Sequence, residues 1–135
     1  MLYDGVCGLC DRFIQFLIRI DRRDRLRFAA LQGPLGALIL KQNGLVPGVL
    51  STVIVVANYG SDASRVLDRS EAALFAIYST GGVYRGARVL RIVPRFLRDW
   101  VYTLIARSRY RLFGQLEACP VPKAENRRKF LDPTR

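Results

Sequence analysis

Two cysteines separated by two residues are the strongest candidates for chemistry. Cys7 and Cys10 form the run Cys-Gly-Leu-Cys, between a short apolar segment and a stretch of helical periodicity. At a helix N-terminus, free backbone N–H groups and the positive end of the dipole favour a thiolate. A second cysteine one turn later can attack a mixed disulfide on the first. The pattern predicts a dithiol that cycles with a disulfide, with Cys7 as the exposed nucleophile and Cys10 as the resolving thiol.

The composition limits the other catalytic groups available. The 135 residues include no histidine, which excludes Ser-His-Asp triads, Cys-His pairs and histidine-ligated zinc. A closed zinc site needs four ligands, and only Cys119 and Asp4 could complete a set with the paired cysteines. We therefore expect no metal and no cofactor. Half of a zinc or iron–sulfur site and a pair of inert buried cysteines are the less favoured alternatives.

Residues close to the pair have more than one interpretation. Asp4 is either a proton acceptor that tunes the thiolate or a carboxylate that accepts loop N–H bonds. An ionised Asp4 near Cys7 also disfavours the thiolate. Gly5 and Gly8 are interpreted as the supporting loop that lets the backbone turn. Cys119 is a candidate third redox thiol or ligand, although a structural role is favoured.

The elements that must position these residues follow from hydrophobic periodicity. Helical spacing follows the cysteine pair, and a continuous β-branched run further on is typical of a central strand. We predict a strand ending at Leu2–Asp4, a helix over Cys10–Arg22, a strand over Leu26–Ala30, a helix from Pro34 to Gly44, strands over Val53–Ala57 and Ala63–Leu67, and a helix capped by Ser70 and ending at Tyr78. This order predicts an open mixed α/β sheet flanked by helices.

The C-terminal half is predicted to be helical. Two stretches, 85–93 and 94–107, contain regularly spaced apolar residues, and we expect Trp100 and Tyr102 to pack in this helical layer. A polar, irregular segment is expected from Pro120 until shortly before the C-terminus. We predict one domain over residues 1–135, with a core over 1–82, a helical extension over 83–118 and a tail over 119–135.

Basic residues are concentrated in the helical extension. The chain has 22 basic and 11 acidic residues, a net charge of +11, and residues 85–111 contain eight arginines against Asp99 alone. Such a segment could contact nucleic acid, anionic lipid or an acidic partner, but a solvated helix face is the favoured interpretation.

The chain contains no transmembrane or secretory pattern. No apolar run approaches the ~20 residues that span a bilayer, and the N-terminal sequence lacks the basic and apolar regions of a signal peptide. Three cysteines are also too few for a secreted disulfide scaffold. We therefore expect a cytoplasmic protein, with peripheral membrane contact as an open alternative.

The cysteine pair lies within a longer pattern. Tyr3–Cys10 resembles the Asp-x-x-Cys-x-x-Cys signature of the DCC family of predicted thiol-disulfide oxidoreductases. Other segments resemble the second strand, the middle helix, the C-terminal helices and the third-cysteine motif of that family: Arg27–Gln32, Ser70–Leu74, Ile92–Arg95, Arg98, Asp99, Tyr102, Arg107–Gly114 and Glu117–Pro122. The resemblance covers nearly the whole chain. It implies a thioredoxin-like fold and dithiol chemistry at Cys7 and Cys10.

The resemblance also bears on two other segments. Thioredoxins place a cis-proline just before the third strand, whereas the corresponding region here is Leu50–Val53 and Pro47 lies earlier. Backbone pairing with a peptide substrate is therefore expected to differ from that of thioredoxins. The arginines around Arg109 alternate with Tyr110 and Phe113, as in nucleic-acid stacking surfaces. The family pattern instead favours a packed motif whose arginines pair with Asp or Glu from elsewhere.

Together these observations predict a thiol-disulfide oxidoreductase of the protein-disulfide reductase type. Its partners would be a thiol or disulfide substrate, either protein or small molecule, and a separate reductant. The alternative is a non-catalytic basic module that binds nucleic acid or an anionic membrane through residues 85–111, with nucleic acid as the less favoured ligand.

Overall fold

A mixed four-stranded sheet supports the loop that contains the cysteine pair. The computed structural model describes residues 1–46, 53–117 and 122–132. Its strands are β1 (Leu2–Tyr3), β2 (Ala29–Ala30), β3 (Ile54–Ala57) and β4 (Arg65–Asp68). They are arranged in the order β2-β1-β3-β4. β2 is parallel to β1, whereas β3 is antiparallel to both β1 and β4.

Helices connect the strands and cover the sheet. They are α1 (Gly8–Ile20), α2 (Pro34–Gln42), α3 (Arg69–Ser79) and α4 (Arg95–Phe113), with 3-10 segments over Gly82–Ile92 and Ala124–Lys129. The predicted order of strands and helices is confirmed through α3, and additional C-terminal helices follow it. The protein therefore has the thioredoxin-like α/β fold that the sequence predicts.

Strand alternation divides the core into two clusters. Leu2 and Ile54 pack with residues of α2, whereas their neighbours Tyr3 and Val55 pack with residues of α1 and α3. Successive strand residues point to opposite faces of a sheet, so burial of both sets requires helices on both faces. Both cysteines of the pair belong to the second cluster. The dithiol is therefore part of the core between the sheet and α1.

The predicted strand over Leu26–Ala30 is divided between two partners. Only β2 pairs with β1, whereas the N–H of Phe28 donates to the carbonyl of Lys129 over 2.7 Å. The Phe28 carbonyl accepts from the N–H of Leu131 over 2.8 Å. The prediction of an irregular tail is therefore wrong for residues 122–132, because this segment includes a 3-10 helix and pairs with the chain before β2.

Two helices begin earlier than predicted. α1 begins at Gly8 rather than Cys10, so Cys7 is its N-cap residue. α3 begins at Arg69 with Asp68 as its N-cap. Ser70, which was predicted to cap α3, donates its hydroxyl to the Asp99 carboxylate of α4 instead. This bond joins the sheet-covering helix to the C-terminal helix.

The prediction that Trp100 packs in the helical layer is wrong, whereas Tyr102 faces inward. Trp100 is 63% exposed. The Tyr102 hydroxyl accepts a hydrogen bond from the N–H of Val53, just before β3, over 3.1 Å. α4 packs against α1 and α3 through this inward face. In the described parts of the chain, no helix is long and apolar enough to cross a membrane.

A buried ion pair joins the C-terminal segment to the end of α1. Lys129 Nζ donates to Asp21 Oδ2 over 2.7 Å and lies 2.9 Å from Asp24 Oδ1. The Asp21 carboxylate also accepts the backbone N–H groups of Arg25 and Leu26, each over 3.1 Å. One carboxylate thus closes the turn after α1 and holds the C-terminal segment against it.

We predict that Lys129→Met lowers the free energy of unfolding by about 3–5 kcal/mol, because Asp21 stays buried without its cation. Lys123→Met is the matched control: Lys123 is exposed, and such substitutions usually change stability by no more than about 0.5 kcal/mol. Urea unfolding followed by circular dichroism measures both variants. Equal stability of the two would contradict a structural role for residues 122–132.

Candidate active site

Cys7 lies at the N-terminus of α1, as the sequence predicts. Its backbone is extended (φ −93°, ψ 118°), and its carbonyl accepts the N–H of Asp11 over 3.0 Å. The N–H of Cys7 donates to the Asp4 carbonyl over 3.3 Å. Cys10 follows in the first turn of the helix. The pair therefore lies at the positive end of the helix dipole.

The two thiols are in hydrogen-bonding contact, and both are free. Burial, then the negative charge on Cys7 and the hydrogen bond between the sulfurs, raises the pKa of the Cys10 thiol to about 12. The positive charge of Arg109 and a backbone hydrogen bond at Asp4 act in the opposite direction, but they are smaller. Cys10 is therefore protonated at neutral pH.

Asp4 is buried, and both of its carboxylate oxygens accept hydrogen bonds. Oδ1 accepts from Gln32 Nε2 over 2.8 Å and from the N–H of Val6 over 3.2 Å. Oδ2 accepts from the Tyr110 hydroxyl over 2.8 Å and from Arg109 Nη2 over 3.2 Å. Burial, followed by the bond to Asp4, raises the pKa of Tyr110, so its hydroxyl stays a donor. These donors occupy the carboxylate and favour a loop-holding role over proton transfer.

Arg109 brings a positive charge from α4 to the dithiol. Its side chain is 4% exposed, and its partner Asp4 is 7% exposed. Burial by itself lowers the pKa of Arg109, but electrostatic interactions with Cys7, Tyr110 and Asp4 outweigh that effect and raise it. Arg109 therefore stays charged, compensates the Asp4 carboxylate and interacts favourably with a thiolate on Cys7.

The backbone that follows α4 covers Cys7. Gly114 ends the helix with a φ of 75°, which favours glycine, and Gln115 then lies opposite Cys7 in an antiparallel bridge. The N–H of Leu116 donates to the Val6 carbonyl over 2.7 Å. Cys7 is 0% exposed. The expectation of an exposed first cysteine is therefore wrong for this conformation, because a segment from the other end of the chain lies over it.

The two glycines of the loop hold it against neighbouring segments. A Cβ on Gly8 would lie 2.5 Å from the carbonyl oxygen of Phe113. The N–H of Gly8 also donates to the Gly114 carbonyl over 3.4 Å. Gly5 donates its N–H to Gln32 Oε1 over 3.1 Å. The close approach of the C-terminus of α4 therefore explains why residue 8 is a glycine.

Cys10 lines a small apolar cleft between α1, α3 and α4. The cleft has a volume of about 190 Å³, and its walls include Phe13, Ala73 and Ile105. Arg109 also lines it. Cys10 is 6% exposed, so the cleft connects the dithiol to solvent through this cysteine.

The structure brings most of the predicted site residues together and adds others. Cys7, Cys10 and Asp4 are adjacent, and the prediction that an arginine of the alternating motif pairs with a distant acid is confirmed for Arg109. The sequence signal for an inward-facing Arg109 is its spacing from Tyr102 and Ala106, which places all three residues on one face of α4. Gln32 lies in the family-like segment Arg27–Gln32, but no signal in the sequence assigned it to the site, where its amide donates to Asp4.

Two predictions fall outside the described residues, namely the role of Cys119 and the region from Pro47 to Thr52. Within 1–46, 53–117 and 122–132, no group of three or more His, Cys, Asp or Glu side chains is arranged to hold a metal ion.

Comparison with known proteins identifies the family. The family model described as DCC1-like thiol-disulfide oxidoreductase matches residues 1–115. The chain belongs to this family. The resemblance inferred from the cysteine signature is thereby confirmed, and membership supports a redox function on thiols or disulfides. The matched range includes the residues of the site from Asp4 to Tyr110.

Two curated relatives cover most of this DCC1-like chain. YuxK of Bacillus subtilis (strain 168), which is named as an uncharacterized protein, is 31% identical over 131 residues, covering 97% of this chain and 92% of the relative. A DCC family protein of Arabidopsis thaliana, named as chloroplastic, is 37% identical over 120 residues, covering 88% of this chain and 67% of the relative. No solved structure gives a significant match.

We predict that Cys10 of the reduced protein reacts with iodoacetamide only as the pH approaches about 12, because the neutral thiol is a poor nucleophile. Cys7→Ser lowers that pH by removing a neighbouring charge, whereas burial keeps it above the ordinary thiol range. Mass spectrometry of Cys119→Ser protein alkylated at stepped pH isolates the two site cysteines. Rapid modification of Cys10 at neutral pH would contradict the assignment.

Proposed function

We propose that this DCC1-like protein exchanges thiols and disulfides through Cys7 and Cys10, with Cys7 as the nucleophile and Cys10 as the resolving thiol. The observation that carries the proposal is the asymmetry of the pair. Cys10 is a protonated thiol with a raised pKa, whereas Cys7 is the N-cap of α1 and interacts with the Arg109 guanidinium. Such an asymmetry assigns different roles to two adjacent sulfurs.

In the first step the Cys7 thiolate attacks one sulfur of a substrate disulfide. A bond forms between Cys7 Sγ and that sulfur, the substrate S–S bond breaks, and the second substrate sulfur leaves as a thiolate that takes a proton from water. The product is a mixed disulfide on Cys7 and one free substrate thiol. Attack requires residues 114–116 to separate from the cysteine loop, because they cover Cys7 in this conformation.

In the second step Cys10 loses its proton to water and attacks Cys7 Sγ. The Cys7–Cys10 disulfide forms, the bond between Cys7 Sγ and the substrate sulfur breaks, and that sulfur leaves as a thiolate that takes a proton from water. Once Cys7 is in the mixed disulfide it no longer has a negative charge, and one of the causes that raise the pKa of Cys10 disappears. Arg109 still lowers that pKa. Formation of the mixed disulfide therefore activates the resolving thiol.

The remaining residues position and stabilise the reacting sulfurs. Arg109 stabilises negative charge on Cys7, and Asp4 holds Arg109 together with the Tyr110 hydroxyl. We therefore assign Asp4 as a positioning carboxylate. Gly5 and Gly8 keep the loop in contact with its neighbours.

The direction we favour is reduction of substrate disulfides, the protein-disulfide reductase type. A strongly oxidising pair stabilises its reduced form, chiefly through the thiolate of the first cysteine. Here the buried Asp4 carboxylate offsets the stabilisation that Arg109 gives to a thiolate on Cys7. Each turnover transfers two electrons to the substrate, so an external dithiol reductant must regenerate the pair. A reducing compartment such as the cytoplasm would supply it. The apolar cleft at Cys10 suits a disulfide with apolar neighbours.

We predict that Cys10→Ser accumulates a covalent adduct on Cys7 when it is mixed with a disulfide-containing peptide, because the resolving thiol is missing. The Cys119→Ser background limits the adduct to the site, and Cys7→Ser is the matched control. Non-reducing electrophoresis and peptide mass spectrometry detect it. Equal adduct formation by Cys7→Ser would contradict the assignment of Cys7 as the nucleophile.

We predict opposite effects for the two halves of the Asp4–Arg109 pair. Arg109→Gln slows the alkylation of Cys7 at a fixed pH by about tenfold or more, because a nearby cation that favours the thiolate is lost. Asp4→Asn removes a negative charge and accelerates that alkylation. Arg109→Lys retains the cation and restores the rate in part, and Arg107→Gln is the exposed control.

Both substitutions of the pair break the same contact, so a purely structural role predicts a shift in the same direction for both. The direction of the change in alkylation rate therefore separates an electrostatic role of Arg109 from loosening of the loop. Thermal unfolding of each variant identifies loss of fold. Parallel shifts in folded Arg109→Gln and Asp4→Asn proteins would overturn the electrostatic role but leave the dithiol assignment intact.

A further inference from the structure

The outward face of α4 is apolar over most of its length. Six large side chains of this face are between 43% and 77% exposed: Phe96, Leu97, Trp100, Val101, Leu104 and Leu112. At about 100° per residue they lie within one half of the helix circumference. We call this set the α4 apolar strip. Contiguous exposed apolar surface of this kind marks an interaction site in soluble proteins.

Two exposed arginines lie within the same half of the helix. Arg107 and Arg111 fall between the apolar residues at helical spacing, and both are exposed. Asp99 is the single acidic residue of α4, and it is engaged with Ser70 and Arg95. The strip therefore combines large apolar side chains with positive charge that has no acidic counterpart within the helix.

This combination fits the surface of an anionic bilayer. Interfacial helices insert Trp, Phe and Leu at the boundary between headgroups and acyl chains, while their basic residues contact lipid phosphates. A second copy of the chain fits less well, because contact through this face would bury Arg107 and Arg111 of both copies, while Asp99, the single acidic residue of α4, is already engaged. Nucleic acid also fits less well, because Leu97, Val101, Leu104 and Leu112 gain nothing from phosphates or base stacking.

We propose that α4 docks the protein peripherally on an anionic phospholipid membrane, with Phe96 and Trp100 inserted at the interface and Arg107 and Arg111 against lipid phosphates. The opposite face of the same helix holds Arg109 and lines the cleft at Cys10. Docking therefore places the dithiol about one helix diameter, roughly 10 Å, from the lipid surface. This inference rests on the exposed face of α4 and does not depend on the proposed redox function.

Trp100 is the only tryptophan of the chain and reports directly on docking. With vesicles of phosphatidylcholine and phosphatidylglycerol in equal parts, we expect its fluorescence to shift to the blue and to become shielded from acrylamide. Pure phosphatidylcholine vesicles should give a much weaker response, and added salt should reverse binding because it screens charges at the surface.

Two double variants test the two components of the surface. Arg107→Gln with Arg111→Gln should weaken vesicle binding about thirty-fold, since each arginine near an anionic surface strengthens binding roughly five- to sixfold. Phe96→Ser with Leu104→Ser should weaken it at least about tenfold, because two apolar side chains no longer leave water. The matched charge control, Arg22→Gln with Arg25→Gln, removes two exposed arginines elsewhere and should bind almost as the unmodified protein does.

Circular dichroism and thermal unfolding establish that each variant is folded. No blue shift with anionic vesicles would overturn the proposal. So would equal losses in the Arg107/Arg111 and Arg22/Arg25 variants, which would indicate attraction to the net charge alone. Self-association in ultracentrifugation together with shielding of Trp100 in the absence of vesicles would assign the strip to a second copy and would also overturn the proposal. Shielding of Trp100 by RNA, with no response to vesicles, would assign the strip to nucleic acid and would overturn it as well.

Discussion

The buried ion pair between Asp4 and Arg109 is the interaction on which the site depends. It joins two residues 105 positions apart, one directly after β1 and the other near the end of α4. Without the cation, the buried carboxylate would oppose a thiolate on the neighbouring Cys7. Without the carboxylate, a charged guanidinium would be buried unpaired, which costs several kcal/mol. Each partner compensates the cost of burying the other's charge, and together they would allow a negatively charged sulfur in the core.

In the proposed mechanism, this pair explains how a chain without histidine can support thiolate chemistry. In cysteine enzymes that use histidine, an imidazole supplies positive charge and accepts a proton. Here the helix dipole and Arg109 supply the positive electrostatics, and thiol exchange needs no permanent base beside the nucleophile. The C-terminal half is consequently part of the site: α4 provides Arg109 and Tyr110, the segment after it covers Cys7, and its other face remains apolar and exposed.

Much of the fold follows from local patterns. The β-branched run at Ile54–Ala57, the amphipathic helix after Cys7 and the proline at the start of α2 are local signals, and the predicted element order is confirmed. The short strand β2 was predicted too long because Phe28 pairs with Lys129 and Leu131. Nothing local in either segment encodes that pairing.

The same limit applies to the site. Cys7 and Cys10 are recognisable because their separation is fixed by one helical turn, and Asp4 because it lies in the same loop. Gln32 is placed beside Asp4 only by the parallel pairing of β1 and β2, and the exposure of Cys7 depends on Gln115, which is distant in sequence. Periodicity also could not decide which apolar face of α4 is covered, because both faces contain large side chains. The single domain over 1–135 and the role of Cys119 remain predictions from the sequence.

The most direct test of this account is the equilibrium of the Cys7–Cys10 pair in redox buffers, with the disulfide located by peptide mass spectrometry. We predict one two-electron transition, a disulfide between Cys7 and Cys10, and a potential closer to that of thioredoxin, about −270 mV, than to that of strong periplasmic oxidants, about −120 mV. A chain with no such transition, or one whose disulfide joins Cys119 to either site cysteine instead, would contradict it.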